Sequence, residues 1–401
     1  MNVLFLSELF YPHGGGAEYA TFLYAELLSQ AGFNITVVTN KFDGEPEVSR
    51  HGKLTIYRLP LLGKSGSVKY AILKRFDVLF SGFVRKMMKW ADVVYVPRFW
   101  FSAISLAKAV GKPVITHLHD YIPICPLAVL YDETKAKACN GKSLLCSPKC
   151  LYAYEKTHDR NSRETLTSVV LNSGVGRCLP KFIDFSDAII CVSKTQRNII
   201  AGKKPSLREK LYVIYNPLPQ LSYVTLEGDD FAYFGGSHRL KGFHILYKAA
   251  KETESEMIKI RATGFSRGQK ILHLPNGAEI MQYGWVHGEI LQDIYRYSRA
   301  IVVPSVSPEP LPYVVYEAML KGRLVIASNI GGIPEQTNGY PGCFLFPPGN
   351  HGELANLMQH IASLDKSLVI ELGHKNRNIL LSKDQNNRSL RSFVRILDGL
   401  S

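Results

Sequence analysis

The first forty residues alternate between strand and helix patterns, and this alternation limits the fold more than any other feature of the sequence. Residues 3–10 form a continuous apolar run, residues 11–16 are rich in turn formers, and residues 17–31 have helical periodicity. Gly32 follows as a natural helix C-cap, and residues 35–40 form a second β-branched run. This order predicts a βαβ unit, and hence a parallel sheet with right-handed crossovers.

Further apolar runs of strand length, separated by helical patterns, follow along the chain. They cover residues 93–96, 113–117, 187–192, 211–215, 231–234, 258–263, 278–283, 300–304 and 324–328. The prolines of YNPLP (215–219) divide this series. We therefore expect two doubly wound, Rossmann-like α/β domains, the first over residues 1–216 and the second over residues 217–380. Residues 381–401 are expected to form a helical segment that crosses back to the first domain.

Parallel α/β domains bind ligands at the carboxyl ends of their strands, so two such domains are expected to face each other across a binding cleft. The 401 residues are enough for two cores, and no apolar run approaches the ~18 residues that a membrane span requires. The opening MNVLFLSELFYP has no basic stretch before its apolar run, so it reads as a strand and not as a signal peptide. A cytosolic protein is expected.

Several phosphate-binding motifs are incomplete. Gly14 could start a G-x-G-x-x-G fingerprint, but Tyr19 stands where its last glycine belongs. The GKS tripeptides at Gly63 and Gly141 lack the glycine that a P-loop has five residues earlier, and the chain contains no D-x-D. These gaps disfavour a dinucleotide-dependent dehydrogenase and a P-loop NTPase.

Two glycine loops remain as anion or sugar sites. Gly15 and Gly16 precede a predicted helix, where backbone N–H groups are accessible, although a tight turn gives the same string. In the second half, YFGGSHRLKGF (233–243) places Arg239 and Lys241 between a strand and a helix. Such cations favour a phosphate ligand; a solvated loop is the alternative for Arg239, and it fits Lys241, beside Gly242 at the helix start, less well.

The segment EPLPYVVYE (309–317) places two glutamates eight positions apart after a buried strand. Pro312 fits the first position of a helix, where its missing N–H is tolerated. Glu309 then lies in the loop above the strand end, and Glu317 lies about 7.5 Å along the helix from Pro312. The two carboxylates can reach different parts of one elongated ligand. A capping or surface role is the alternative, and it fits the apolar surroundings of Glu317 poorly.

This segment belongs to a longer string, PSVSPEPLPYVVYEAMLKGRLVIASNIGGIPE (304–335), that resembles the E-x7-E block of retaining glycosyltransferases of family 4, which have the GT-B fold. Supporting matches occur in the family's order over nearly the whole chain. They are PHGGGAEYA (12–20), HD (119–120), VSK (192–194), YNP (215–217), GGSHRLKG (235–242) and YGWVHGEILQDIY (283–295).

The resemblance assigns catalytic roles to three residues. Glu309 would hydrogen-bond the transferred sugar, His119 would contact the donor sugar, and Lys241 would neutralise the departing diphosphate. Positive groups placed where negative charge develops are a main catalytic resource. The resemblance implies no cofactor for catalysis, because Lys241 and helix N-termini supply the positive field.

The resemblance also implies that residues 1–216 form the acceptor-side domain and residues 217–380 the nucleotide-sugar-binding domain, and it assigns donor-binding roles. Glu317 would bind the ribose hydroxyls, and the backbone of Trp285 and Val286 would hold the base. Gly15 and Gly16 would line the approach of donor and acceptor, and Arg239 would add charge near the diphosphate.

Two positions depart from the family pattern. Gly236 stands where the family usually has an arginine, five residues before the lysine, and Arg239 is the candidate to replace it. Pro312 stands where the family commonly has glycine, so a backbone N–H sometimes offered to the sugar is absent.

Four cysteines fall within 26 residues: Cys125, Cys139, Cys146 and Cys150. Their C-x13-C-x6-C-x3-C spacing lacks the paired C-x2-C of most zinc sites. Disulfides or free buried thiols are the alternatives, and the cytosol disfavours disulfides. A structural zinc or iron–sulfur cluster on an acceptor-side loop is predicted beside these alternatives.

Most of the net charge of +14 comes from the first half of the chain, and much of it lies between Lys53 and Arg98. Residues 64–90 interleave basic residues with apolar and aromatic ones at near-helical spacing, which is typical of a helix that lies on anionic lipid. A core-facing helix with a basic outer face has the same pattern. The resemblance favours the membrane, because many members act on lipid-linked acceptors, and the absence of a recognised motif disfavours nucleic acid.

The sequence therefore predicts a retaining glycosyltransferase that moves a hexosyl unit from a nucleotide-diphosphate sugar to a hydroxyl. A lipid-linked or polysaccharide acceptor in cell-surface glycan synthesis is expected, with peripheral contact to the inner face of the membrane. The alternatives are a GT-B nucleotide-sugar epimerase and a sugar-nucleotide-binding protein without turnover.

Overall fold

The structure is a computed structural model that describes residues 1–60, 75–139, 148–156, 162–174, 178–254, 258–266 and 268–400. The chain divides into two compact units. The first comprises Met1–Pro217 with Gln385–Ser401, and the second comprises Leu218–Asp384.

The first unit is built on an eight-stranded sheet. Its strands are β1 Asn2–Leu6, β2 Asn34–Asn40, β3 Val48–His51, β4 Leu54–Leu59, β5 Val93–Val96, β6 Val114–Leu118, β9 Ala188–Cys191 and β10 Leu211–Val213, and a separate pair is formed by β7 Tyr131–Asp132 and β8 Lys137–Ala138. The spatial order is β10-β9-β6-β5-β1-β2-β4-β3, and only the edge strand β3 is antiparallel to its neighbour.

The first unit also contains helices among its described residues. They are α1 Gly16–Gln30, α2 Gly82–Trp90, α3 Ala103–Ala109, α4 Pro148–Lys156, α5 Ser162–Ser173, α6 Leu179–Phe182, α7 Lys194–Lys203 and the C-terminal α14 Gln385–Asp398. Successive side chains of β1 point to opposite faces of the sheet: Leu4 and Leu6 join one apolar cluster, and Val3 and Phe5 join the other. Because both faces are buried at the centre of the sheet, strands such as β5 and β9 are apolar throughout rather than alternating.

The C-terminal helix belongs to the first unit. Phe393 of α14 is fully buried and lies 5.3 Å, between ring centroids, from Tyr24 of α1. Ser389 Oγ donates to the carbonyl of Tyr215 at 2.6 Å. These contacts fix α14 on the face of the sheet that α1 also covers.

The second unit has a seven-stranded sheet. Its strands are β11 Asp230–Phe234, β12 Lys259–Thr263, β13 Lys270–His273, β14 Glu279–Gln282, β15 Ser298–Val303, β16 Leu324–Ser328 and β17 Cys343–Phe346. The spatial order is β13-β14-β12-β11-β15-β16-β17, with β13 antiparallel. Its helices are α8 Phe243–Glu252, α9 Gly288–Tyr297, α10 Tyr313–Leu320, α11 Ile333–Thr337, α12 His351–Ser363 and α13 Lys366–Ser382. Two parallel-dominated α/β sheets confirm the predicted fold class.

Candidate active site

Lys241 and Glu309 meet at the carboxyl ends of neighbouring strands in the second unit. Lys241 lies in the loop after β11, and Glu309 lies in the loop after β15, which pairs with β11 in parallel. Lys241 Nζ donates to Glu309 Oε1 at 2.7 Å, and Ser305 Oγ donates to the same oxygen at 3.1 Å. The lysine side chain is 45% exposed and the glutamate side chain 14%. The pair thus presents an accessible cation over a fixed carboxylate.

Two glycines hold these loops together. Gly242 has φ +81°, and a Cβ there would lie 1.8 Å from the carbonyl oxygen of Pro304. Gly331 has φ +62°, and its Cβ would lie 2.2 Å from the carbonyl oxygen of Glu309. That same oxygen accepts a hydrogen bond from Gly332 N at 2.7 Å. Because no side chain fits at either position, the backbone around the charged pair is closely packed.

The departure at Gly236 has a steric basis. Gly236 has φ +59°, and a Cβ there would lie 2.2 Å from the carbonyl oxygen of Gly264. An arginine at this position therefore requires a different backbone. Arg239 begins a short 3₁₀ turn, Arg239–Lys241, and its side chain is exposed. Burial lowers the pKa of His244 and the charge of Arg239 lowers it further, so Arg239 lies close to the start of α8.

Pro312 is the residue before α10 and not its first residue as predicted. Its ψ of 127° is extended, and the helix begins at Tyr313. Glu317 lies on α10 and is half-buried. Burial raises the pKa of Glu317, the positive charge of Lys321 opposes this, and the negative charge of Glu317 adds to the raised pKa of Tyr295. Glu317 is therefore a partly buried carboxylate close to Lys321 and Tyr295.

Trp285 and Val286 lie between β14 and α9. Trp285 is 84% exposed, whereas Val286 is half-buried. The backbone just before them is fixed, because the carbonyl oxygen of Gly284 accepts a hydrogen bond from Gly264 N at 3.0 Å. An open indole on a fixed backbone is accessible to a flat ligand.

In the first unit, His119 and Asp120 directly follow β6. The ring of His119 stacks on His117 with 4.3 Å between centroids. Burial, assisted by the charge of Arg98, lowers the pKa of His119 to about 3, so the imidazole is neutral at physiological pH. Its Nε2 is buried with no hydrogen-bond partner among the described residues. Burial raises the pKa of Asp120, and Arg98 opposes this rise.

The glycine loop of the first unit begins α1, and both predicted glycines are exposed: Gly15 is the N-cap and Gly16 the first residue. Sequence reasoning missed Glu18, which is 2% exposed. Glu18 Oε2 accepts from Gly15 N at 2.8 Å, and Glu18 Oε1 accepts from Arg98 Nη1 at 2.6 Å. The three-residue spacing of Gly15 and Glu18 is that of a capping box, which was the available signal for the first of these contacts.

Three cysteines of the predicted cluster fall within the described residues, and Cys146 lies outside them. Cys125 and Cys139 are free thiols, and Cys150 Sγ donates to the carbonyl oxygen of Tyr131 at 3.9 Å. Burial raises the pKa of Cys125, with Cys139 close enough to add to the rise. The described part of the chain holds no group of three or more metal-ligating side chains, so the four-cysteine cluster stays a prediction.

The basic segment 64–90 is described only from residue 75 onward. Its helix α2 buries Val84 and Met88 and exposes Arg85, Lys86 and Lys89. This arrangement agrees with both interpretations of the segment. Among the described residues, every helix is too short or too polar to cross a bilayer.

Comparisons with known proteins match both halves of the chain. The family model "Glycosyltransferase Family 4" matches residues 14–219, and "Glycosyl transferases group 1" matches residues 228–363. A Klebsiella pneumoniae relative described as an "Uncharacterized 42.6 kDa protein in cps region" is 25% identical over 362 residues, which cover 86% of this chain and 89% of the relative.

Two solved structures of similar fold cover nearly the whole chain. Sucrose-phosphate synthase from Thermosynechococcus elongatus has a TM-score of 0.67 and 16% identity, with 99% of each chain covered. HepE from Anabaena, in complex with UDP-glucose, has a TM-score of 0.62 and 17% identity, with 100% of each chain covered.

Proposed function

The chain belongs to glycosyltransferase family 4 and is a glycosyltransferase of the GT-B fold, and from this premise we propose its donor, acceptor class and stereochemistry. The donor is a nucleotide-diphosphate sugar, and the group transferred is a hexosyl unit. The acceptor is a hydroxyl of a lipid-linked or polysaccharide intermediate in cell-surface glycan synthesis. Transfer retains the configuration at the anomeric carbon.

The contact between Lys241 and Glu309 carries this proposal. Lys241 is a partly exposed cation next to the N-terminus of α8, and both features favour a diphosphate. When the donor binds, the ammonium group can exchange part of its contact with Glu309 for the phosphate oxygens. Glu309 then has an oxygen available to a sugar hydroxyl, while Ser305 keeps the carboxylate in place.

Glu317, Trp285 and Val286 would bind the nucleoside. A carboxylate accepts hydrogen bonds from two vicinal hydroxyls, which suits Glu317 to a ribose. The raised pKa of Glu317 reflects partial burial, and a buried carboxylate gains from such donors. The backbone of Trp285 and Val286 would hold the base, and the exposed indole of Trp285 can stack on it.

His119 would contact the donor sugar as a neutral imidazole. Its low pKa, set by burial, keeps the ring uncharged, so the ring can accept or donate one hydrogen bond without adding positive charge to the sugar. The exposed loop of Gly15 and Gly16 would line the approach of both substrates.

In the proposed reaction the bond between the anomeric carbon and the diphosphate oxygen breaks as the acceptor oxygen approaches the same face. The departing diphosphate takes the hydroxyl proton of the acceptor. Lys241 stabilises the negative charge that develops on the diphosphate, which is the largest contribution that we assign to one side chain. No covalent nucleophile is invoked, and no cofactor takes part.

The proposal is tested by measuring release of nucleoside diphosphate and the anomeric configuration of the sugar product. The donors are UDP-glucose, UDP-galactose, UDP-N-acetylglucosamine, GDP-mannose and ADP-glucose, with water as the default acceptor. We expect one donor to release its nucleoside diphosphate, with the first sugar product retaining the donor's anomeric configuration by ¹H NMR. Inverted product would contradict retention. An epimerised sugar nucleotide would indicate the epimerase, and tight binding without release would indicate a binding protein.

A peripheral contact with anionic membrane is a further part of the proposal. The outer face of α2 carries Arg85, Lys86 and Lys89, and Phe80 just before the helix is 86% exposed. Basic residues contribute about 1 kcal/mol each near an anionic surface, and an exposed aromatic ring can enter the headgroup region.

Co-sedimentation with vesicles tests this contact. We expect binding to phosphatidylglycerol vesicles but not to phosphatidylcholine vesicles, and we expect the triple glutamine variant at positions 85, 86 and 89 to bind less. A control variant changes three exposed lysines of the second unit, Lys259, Lys270 and Lys375, to glutamine. Equal loss in both variants would contradict a specific role for α2.

A further inference from the structure

In the first unit, one buried carboxylate connects the glycine loop to the strand ends. Both oxygens of Glu18 are used within the protein, one by Gly15 N and the other by Arg98 Nη1. Gly14 has φ +98°, and a Cβ there would lie 2.5 Å from Cγ of Glu18, so the loop is shaped around this side chain. Glu18 therefore joins two segments that are 80 residues apart in the sequence.

A capping role alone does not explain this geometry. A capping-box glutamate needs only the contact to the backbone N–H before the helix, and a surface position is sufficient for it. Glu18 is instead 2% exposed and holds a guanidinium with its second oxygen. Burying a carboxylate is costly unless it is paired and hydrogen-bonded. A glutamine has one acceptor oxygen and an NH2 group that can only donate, so it cannot present one oxygen to Gly15 N and another to Arg98 as the carboxylate does.

Arg98 in turn lies next to the residues that follow β6. Its positive charge acts on both His119 and Asp120. Its guanidinium carbon lies 4.3 Å from the ring centroid of Phe99, a residue held at φ +41°. Arg98 is thus fixed on one side by Glu18 and on another by an aromatic ring. The loop, the ion pair and His119 form one connected cluster in the first unit.

We propose that Glu18 is a positioning residue for the sugar transfer: its buried carboxylate holds the Gly14–Gly16 loop and the Arg98 guanidinium in one fixed geometry next to His119. This inference rests on the proposed function. Glu18 does not touch the substrate, because both of its oxygens are occupied and its side chain is enclosed. It acts through the loop backbone and through Arg98.

The same sheet offers a control at the amino-terminal ends of its strands. Asp187, just before β9, accepts hydrogen bonds from Lys108 Nζ at 2.8 Å and from Val114 N at 2.7 Å. It joins a cation to a backbone N–H, as Glu18 does, but at the amino-terminal ends of the strands. Asp187→Asn therefore removes one carboxylate charge, from a more exposed pair, at a position away from His119 and the glycine loop.

The test compares wild type with Glu18→Gln, Arg98→Lys and Asp187→Asn. Hydrogen–deuterium exchange of residues 13–17 is measured on the full chain without ligand. The kcat and KM for release of nucleoside diphosphate are measured with the donor of the five-member panel that gives turnover. We expect exchange at Gly15 to rise about tenfold or more in Glu18→Gln. The kcat should fall about tenfold or more with KM within about twofold, because small misplacements lower the rate.

Arg98→Lys keeps the charge and should lose less kcat than Glu18→Gln, and Asp187→Asn should change neither exchange nor kcat by more than about twofold. Equal exchange in wild type and Glu18→Gln overturns the proposal whether or not turnover is seen. Faster exchange with kcat unchanged also overturns it and leaves Glu18 as a helix cap. If the wild type is inactive but exchange is faster in Glu18→Gln, the transfer function is contradicted, while the role of Glu18 in fixing the Gly14–Gly16 loop is supported.

Discussion

Each unit has an ion pair next to a glycine loop at the carboxyl ends of its strands, and the two pairs differ in exposure. In the first unit Glu18 is 2% exposed and Arg98 29%. In the second unit Lys241 is 45% exposed and Glu309 14%. The first pair is enclosed around its carboxylate, and the second is open at its cation.

This difference in exposure implies that the two ion pairs have different roles. Removing one partner of a buried pair leaves an uncompensated charge in the interior, which is strongly destabilising. An exposed pair contributes little to stability, because water and salt screen it. The enclosed pair therefore fixes a geometry, whereas the open pair can exchange its partner for a ligand without loss of fold.

The largest effect should follow from opening the enclosed pair. Glu18→Ala is expected to lower the free energy of unfolding by about 3–5 kcal/mol, since it leaves Arg98 without its counter-ion and Gly15 N without its acceptor. Urea denaturation measures this. The matched change in the open pair, Lys241→Ala, should lower it by less than about 1 kcal/mol. Similar losses in both variants would remove the distinction between the two pairs.

Lys241→Ala should have a small effect on stability but a large effect on activity. Lys241→Ala is expected to lower kcat about 10²–10³-fold, because the departing diphosphate loses its positive partner. Initial rates of nucleoside diphosphate release measure this. Lys259, paired with Glu279 and also exposed, is the control on the same sheet. If Lys259→Ala reduced kcat as much as Lys241→Ala, the diphosphate role of Lys241 would be refuted.

A smaller effect is the dependence of stability on pH that arises from His119, beside the enclosed pair. The pKa of His119 is about 3 in the folded chain, while an unfolded histidine has a pKa of about 6.5. The unfolded chain thus binds more protons between these values, and stability falls as the pH drops through this window, by up to about 1.4 kcal/mol per pH unit for this group. His117, with a pKa lowered by burial and by His119, contributes in the same direction.

Urea midpoints between pH 7 and pH 4 for wild type and His119→Asn measure this contribution. The variant should show a shallower fall in stability, with His117 and the carboxylates accounting for what remains. A parallel fall in both proteins would show that His119 is not held neutral by burial.

The sequence predicted the central strands better than the edges of the sheets. Strands such as β1 and β16 are buried on both faces and therefore appear as continuous apolar runs. The edge strands β3 (VSRH) and β13 (KILH) are largely exposed, so their sequences show neither alternation nor an apolar run, and both were missed. They form because a hydrogen-bonding neighbour is available, which is a property of the fold and not of the local sequence.

The site residues also divide into those that local motifs predict and those that only the folded structure brings together. Lys241 and Glu309 could be proposed because each lies in a motif, and their 2.7 Å contact follows from the parallel pairing of β11 with β15. The contact of Glu18 with Arg98 could not, because it joins positions 80 residues apart and no local pattern pairs them. The roles assigned to His119, Glu317, Trp285 and Val286 stay predictions.

The donor site of the second unit is tested most directly by thermal stabilisation with UDP, GDP, ADP and CDP, measured on wild type and on Glu317→Ala. One nucleotide is expected to raise the melting temperature, because a ligand at about 100 times its Kd adds about 2.7 kcal/mol to the stability of the folded state. The variant should lose most of that shift. If no nucleotide raises the melting temperature of the wild type at concentrations well above micromolar, the proposed donor site is contradicted.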